Sequence, residues 1–167
     1  IASLMNNAPI ITSEGRVFPV EYRYLDKKIT RSIEDEMAAA IIRSLQAEPG
    51  SILAFLPGAR EIEKTKKEVE NSKFLKNVVV CPLYGSMSFE EQDLAIKPPP
   101  QGWRKVVLAT DIAQTSLTIE GIRIVIDSGQ QRSAIFDVKS GMTGLETRML
   151  SKASALQRAG RAGRLEE

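Results

Sequence analysis

The sequence predicts an α/β fold: a parallel sheet with helices on both faces, plus a protruding β-hairpin. Three observations carry that expectation. Short, continuously apolar runs recur at residues 51–56, 77–81, 105–109 and 122–127, as strands covered on both faces require. Segments of helical period lie ahead of the first run and between the first three, and strand-helix alternation leads to a parallel sheet. After Ser128-Gly129 the alternation stops, and two extended arms, 131–136 and 145–150, flank Asp137-Val138-Lys139-Ser140-Gly141 as in a hairpin.

Taken in order, residues 1–15 carry little pattern and read as a linker, and 16–25 (RVFPVEYRYL) reads as an extended segment that Pro19 places at an edge or entry. Ser32 opens a helix with Glu34, Asp35 and Glu36 in its first turn, where carboxylates meet the positive end of the helix dipole. Ile33, Met37, Ala40, Ile41 and Leu45 are spaced to form its buried face, and Pro49-Gly50 stops it. The strand at 51–56 turns at Pro57-Gly58 into a helix over 59–71. The strand at 77–81 turns over 82–86 into a helix over 88–96, which Ser88 and Glu91 open as a capping box. Lys97-Pro98-Pro99-Pro100 ends that helix, strands follow at 105–109 and 122–127, and Ser151 caps a last helix that carries 157–164.

Composition narrows the chemistry. The 167 residues suffice for one core without disulfides or metals, and a net charge of +2 neither demands nor excludes nucleic acid. Cys81 is the one cysteine, so no internal disulfide forms and a reducing compartment is expected. The chain has no histidine, which leaves zinc sites and serine or cysteine triads without support. No run is long enough to span a membrane, and the lack of an initiator methionine suggests a piece of a longer protein.

Two stretches concentrate polar chemistry. In 157–164 (QRAGRAGR) the arginines recur every third residue, and on a continuous helix Gln157, Arg161 and Arg164 form a single stripe. Guanidinium groups hold two phosphate oxygens at once and keep their charge. Gly160 and Gly163 each cost a helix interior roughly 1 kcal/mol relative to alanine, a cost that close approach to a ligand explains. The second stretch, 109–121 (ATDIAQTSLTIEG), places Thr110, Asp111, Thr115 and Ser116 after a buried strand, where open α/β sheets bind ligands. Backbone N–H groups beside Arg60 offer a phosphate seat that an ordinary strand-to-helix turn explains equally well.

Four motifs in this order resemble the second RecA-like domain of DEAH-box superfamily 2 helicases, most closely the bacterial HrpB type. SILAFLPGAREIE (51–63) is similar to motif IV, PLYG (82–85) to the block that follows, ATDIAQTSLTIEG to motif V and QRAGRAGR to motif VI. The resemblance implies a RecA-like domain over 16–167, with 1–15 linking it to a first RecA-like domain ahead of Ile1. It implies that Gln157, Arg161 and Arg164 reach the terminal phosphate of ATP, the two arginines acting as fingers. Gly58, Arg60, Thr110 and Thr115 would contact the nucleic-acid backbone. Glu120 would lie near the ribose or the domain interface, and Ile96 takes the place where several relatives stack a phenylalanine on the base. Asp111 and Gln114 depart from the asparagine and glutamate usual at their positions.

The chain has neither a Gly-Lys-Ser/Thr loop nor an Asp-Glu-Ala-His stretch, so ATP and Mg2+ are expected mainly on the first domain and the fragment alone is expected to be inactive. The expected partners are that domain and single-stranded or partly duplex nucleic acid, RNA favoured, in the cytoplasm. The alternative is a non-enzymatic α/β module that binds nucleic acid or a partner protein. A dinucleotide-binding dehydrogenase domain lacks its glycine fingerprint here.

Overall fold

Ser32 starts helix α1 (Ile33–Ala47) as its position predicts: its hydroxyl accepts the Asp35 N–H at 3.2 Å. The computed structural model describes residues 18–25, 30–73, 75–114, 118–138 and 141–162. After α1 come β1 (Ser51–Phe55), α2 (Ala59–Glu70), β2 (Val78–Leu83), α3 (Phe89–Ile96), β3 (Arg104–Ala109) and β4 (Ile122–Asp127). A hairpin of β5 (Gln130–Asp137) and β6 (Met142–Met149) precedes α4 (Lys152–Ala159). The predicted capping box opens α3, with Ser88 and Glu91 each bonding the other's backbone N–H.

The four-stranded sheet has the order β2-β3-β1-β4 and every pairing in it is parallel. Alternate residues of β1 therefore serve two cores. Ile52 and Ala54 pack with Met37, Ile41, Ile62 and Val69 from α1 and α2. Leu53 and Phe55 pack on the other face with Ala95 of α3, Ala113 and Ile119. Each fully buried aliphatic side chain contributes roughly 1.5–3 kcal/mol, so this central strand and β3 hold much of the stability. The predicted architecture, helices on both faces of a parallel sheet plus a hairpin, is the one observed.

Some boundaries differ. The turn expected from Pro82 starts later, because Pro82 and Leu83 continue β2 and pair with Leu108 and Ala109. β2 is an edge strand, so the missing proline N–H can face away from its one neighbour. Residues 18–25 form no strand. On α1, Ile33, Ala40 and Leu45 are half-buried while Glu34 and Ala38 are buried, so the buried stripe sits slightly around the helix from the predicted one.

The hairpin pairs with itself alone, from Gln130↔Met149 to Asp137↔Met142, and forms a separate two-stranded sheet. Lys139 and Ser140 of its tip lie outside the described residues.

Candidate nucleotide and nucleic-acid interface

The carboxyl ends of the strands are tied together by backbone bonds. Leu56 N–H donates to the Ala109 carbonyl (2.9 Å), Thr110 N–H to Leu83 (3.1 Å) and Ser128 N–H to Phe55 (3.1 Å). The segments that carry Gly58 and Thr110 leave the sheet from this end, the position at which α/β sheets present ligand-binding loops.

Gly58 is the N-cap of α2 and supplies no side-chain cap. Its backbone is extended, so conformational freedom does not explain the glycine. Space does: a Cβ would lie 2.7 Å from Cζ and Nη1 of Arg132, whose guanidinium covers it. Arg60 is exposed in the first turn of α2, and Thr110 is half-buried. Thr115 lies outside the described residues. In the PLYG block, the Tyr84 hydroxyl donates to Glu63 Oε1 of α2 at 3.3 Å. Burial first, then the Glu63 carboxylate, raises the Tyr84 phenol above its ordinary value.

Gln114 joins the two stretches of chemistry. Its Nε2 donates to Gln157 Oε1 at 2.7 Å, and its Oε1 accepts from Arg158 Nε at 3.3 Å. Its carbonyl accepts from Arg161, from Nε at 3.0 Å and also from Nη2. One residue after the 3₁₀ turn Asp111–Ala113 thus holds three consecutive polar side chains of QRAGRAGR.

The predicted continuous stripe needs correction. Helix α4 ends at Ala159 and Gly160 is its C-cap. Beyond it, Arg161 N–H donates to the Arg158 carbonyl (3.1 Å) and Ala162 N–H to Ala159 (3.0 Å), tighter turns than those of an α-helix. Gly160 sits at the helix end and not within a helix interior, and its right-handed backbone (φ −61°) is one that any residue adopts. Gln157 is exposed on the last turn of α4, whereas Arg161 is 5% exposed and its side chain is drawn in to the Gln114 carbonyl. Arg164 lies outside the described residues.

Arg158 is the residue that sequence reasoning left without a role. It is wholly buried, 4.7 Å from the Phe55 ring centroid. Its Nη1 pairs with Asp127 Oδ1 at 3.0 Å and also donates to the Gln130 carbonyl at 3.3 Å. A signal existed in the sequence: Asp127 is a carboxylate closing an apolar strand, and such a group needs a cationic partner.

Glu120 and Ile96 sit elsewhere. Gly121, next to Glu120, accepts the Ser51 N–H at the amino-terminal end of β1, and Ile96 ends α3 near the start of β3. Both therefore lie toward the amino-terminal end of the sheet, while Gly58, Thr110 and Gln157 gather at the carboxyl end.

Residues 34–166 match the helicase conserved C-terminal domain. The chain belongs to that helicase family. It is 51% identical over 166 residues to the ATP-dependent RNA helicase HrpB of Escherichia coli (strain K12), covering 99% of this chain and 20% of that protein. It is 40% identical over 169 residues to the pre-mRNA-splicing factor ATP-dependent RNA helicase prp22 of Schizosaccharomyces pombe, covering 98% of this chain and 14% of that protein. A crystal structure of the Escherichia coli DEAH/RHA helicase HrpB superposes with a TM-score of 0.88 at 50% identity, covering 99% of this chain and 21% of that one. A second, of the DExH-box NTPase HrpB, gives 0.87 at 50% identity over 98% of this chain and 20% of the other. The helicase domain described here thus spans about a fifth of the HrpB protein it matches, and the DEAH-box resemblance and RecA-like fold expected from the sequence are borne out.

Proposed function

We propose that this helicase C-terminal domain is the second motor domain of an ATP-dependent RNA helicase, one that supplies Arg161 and Arg164 to ATP held by a preceding RecA-like domain. The observation that carries the reading is the Gln114 node, which joins the loop expected to grip nucleic acid to the arginine expected to meet the nucleotide.

The chemistry follows from the acceptors available to Arg161. Its guanidinium bonds a neutral carbonyl, that of Gln114. A γ-phosphate is an anionic acceptor and forms a stronger, charge-assisted bond. Closure of the domains over ATP would draw Arg161 from Gln114 to the phosphate and disturb the motif V loop, and hydrolysis would let it return. Gln157, Arg161 and Arg164 are then the catalytic residues, the two arginines neutralising the charge that develops in phosphoryl transfer and Gln157 adding a neutral hydrogen bond. Glu120 and Ile96 lie toward the amino-terminal end of the sheet, away from Gln157 and Arg161, so the ribose and base contacts that the resemblance implies for them are not part of this reading. Gly58, Arg60, Thr110 and Thr115 are assigned to the nucleic-acid backbone, which contacts of this kind position without reading sequence.

Among the described residues no group of three or more Asp, Glu, Cys or His side chains could hold a metal ion. The magnesium that accompanies ATP has no cage among the described residues and is assigned, with ATP, mainly to the preceding domain. No helix among the described residues is long and apolar enough to cross a membrane. A single cysteine fits a reducing compartment, and the reading places the protein in the cytoplasm.

The test uses the full-length protein and its RNA-stimulated ATPase. Arg161→Ala and Arg164→Ala are each expected to lower turnover roughly 10³-fold. Turnover equal to wild type in both variants removes the finger assignment. Thr110→Ala with Thr115→Ala is expected to weaken RNA binding, and unchanged binding with an unchanged salt slope removes the backbone contacts.

A further inference from the structure

Arg158, Gln114 and Gln157 form a hydrogen-bond chain with a direction. A guanidinium has N–H donors and no acceptor, so of the two ends of the Gln114 amide only the oxygen can bond Arg158 Nε, as it does at 3.3 Å. The Gln114 nitrogen is then at the far end, and an N–H donor bonds only an acceptor. Gln157 therefore turns its own oxygen inward, 2.7 Å from Gln114 Nε2. The Gln157 amide is planar, so its nitrogen faces away from Gln114 and has two N–H groups to give, on a side chain that is exposed.

The origin of the chain is held firmly. Arg158 is wholly buried, and Asp127, the Gln130 carbonyl and the Phe55 ring fix its guanidinium. Turning the Gln114 amide over would set an N–H group against a buried cation and forfeit a bond from a charged donor, which gives the observed orientation a preference of roughly tenfold or more. A carboxylate at position 114 would lack this effect. Both of its oxygens accept, so it would take an N–H from Arg158 on one side and from Gln157 on the other, turning the Gln157 oxygen outward. Gln114 stands where the motif that this segment resembles usually has glutamate, and the glutamine is what makes the chain one-way.

We infer that Arg158 and Gln114 are positioning residues that set the orientation of the Gln157 amide, so that it presents N–H donors to the γ-phosphate of ATP. The nucleotide in this inference rests on the motor-domain reading above, while the orientation rests on the contacts alone. A γ-phosphate oxygen is anionic and only accepts, so it bonds an outward nitrogen and repels an outward oxygen. ADP has no oxygen at that point. The chain therefore favours the triphosphate over the diphosphate, and Arg158 and Gln114 act on it only through Gln157.

The test is equilibrium binding of β,γ-imido-ATP and of ADP to the full-length protein in the presence of RNA. Gln157→Ala is expected to weaken binding of the imido analogue about tenfold and to leave ADP unchanged. Gln114→Leu keeps the backbone carbonyl that Arg161 bonds but frees the Gln157 amide to rotate, and is expected to weaken the analogue about threefold. Arg158→Met removes the donor that starts the chain and is expected to match Gln114→Leu. Gln114→Glu reverses the amide and is expected to weaken the analogue about tenfold, with ADP again unchanged. Wild-type affinity for the analogue in both Gln114 variants, beside a weakened Gln157→Ala, overturns the chain and leaves the motor-domain reading standing. Equal weakening of ADP also overturns it, because lost structure moves both nucleotides and a turned amide moves one. Wild-type affinity in Gln157→Ala takes Gln157 out of the motor-domain reading, and the chain falls with it. If Arg158→Met does not fold, the two Gln114 variants decide.

Discussion

Arg104 and Lys105, neighbours at the start of β3, cap the carboxyl ends of helices on opposite faces of the sheet. Arg104 donates to the carbonyls of Leu45 (2.6 Å), Glu48 (2.7 Å) and Gly50 (2.7 Å) at the end of α1. Lys105 donates to those of Leu94 (3.0 Å), Ala95 (3.1 Å) and Lys97 at the end of α3. Neither helix has a basic residue in its own last turn, so the strand supplies the cation that each dipole favours. Burial pushes both groups below their ordinary pKa values, and the carbonyls are what keep the buried ammonium satisfied.

Replacing Lys105 by methionine keeps the stem and leaves those carbonyls without their donor. The expected loss is about 2 kcal/mol in urea unfolding, and Arg104→Met is expected to lose a similar amount at the other face. A Lys105→Met protein as stable as wild type would show that the ammonium does not cap α3.

Arg158 and Gln157, adjacent in motif VI, should separate stability from activity. Arg158→Met leaves Asp127 without its buried cation, a change that costs about 3 kcal/mol where one partner of a buried pair is removed. Gln157 is exposed, so Gln157→Ala should unfold within about 0.5 kcal/mol of wild type. The measurement is the urea midpoint of both variants. Equal midpoints would deny Arg158 its role as the strut beneath the motif.

Where local pattern and tertiary demand agree, the chain is readable. The four strands of the sheet, the Ser32 and Ser88 caps and the hairpin follow from apolar runs, extended arms and turn residues, and all are present. The end of α4 was hidden because QRAGRAGR suits a helix by spacing, while the pull of Arg161 toward Gln114 comes from 47 residues away. Asp127 at the end of an apolar strand signals that a cation is needed, but Arg158 lies 31 residues later and no local pattern singles it out as that cation. Pro82 misled because proline reads as a turn unless the strand is known to lie at an edge. The Arg132-Glu61 contact, 71 residues apart, was equally outside any local signal.

Glu34 gives a pH dependence. A backbone N–H bond at Glu34 lowers its carboxyl below the ordinary 4.5, burial opposes this, and the Lys64 ammonium at 3.1 Å adds to the lowering. A folded pKa below the unfolded one means that the stabilisation is complete above about pH 4.5 and is lost as the pH falls through the folded value. Lys64 is half-exposed, so water screens the pair and the effect is about 0.5 kcal/mol. Glu34→Gln should therefore be less stable than wild type by that amount at pH 7 and equal to it at about pH 2. A gap that persists in acid would assign the loss to packing instead of charge.

Thr65 should tolerate the loss of its hydroxyl. It sits on α2, wholly buried, and its Oγ1 finds no hydrogen-bond partner among the described residues. A buried hydroxyl without a partner loses its hydration and regains nothing, whereas its methyl group packs in the core between α2 and the sheet. Valine keeps the branched shape and replaces the hydroxyl by a second methyl, so Thr65→Val is expected to raise stability by about 1 kcal/mol. Serine keeps the hydroxyl and deletes the methyl, so Thr65→Ser is expected to lower it by about 1 kcal/mol. The two variants thus move in opposite directions in urea unfolding, which a general intolerance of substitution at this position cannot produce. If valine destabilises as much as serine, the hydroxyl is bonded to a buried water, and the packing of α2 beneath motif IV includes that water as a fixed part.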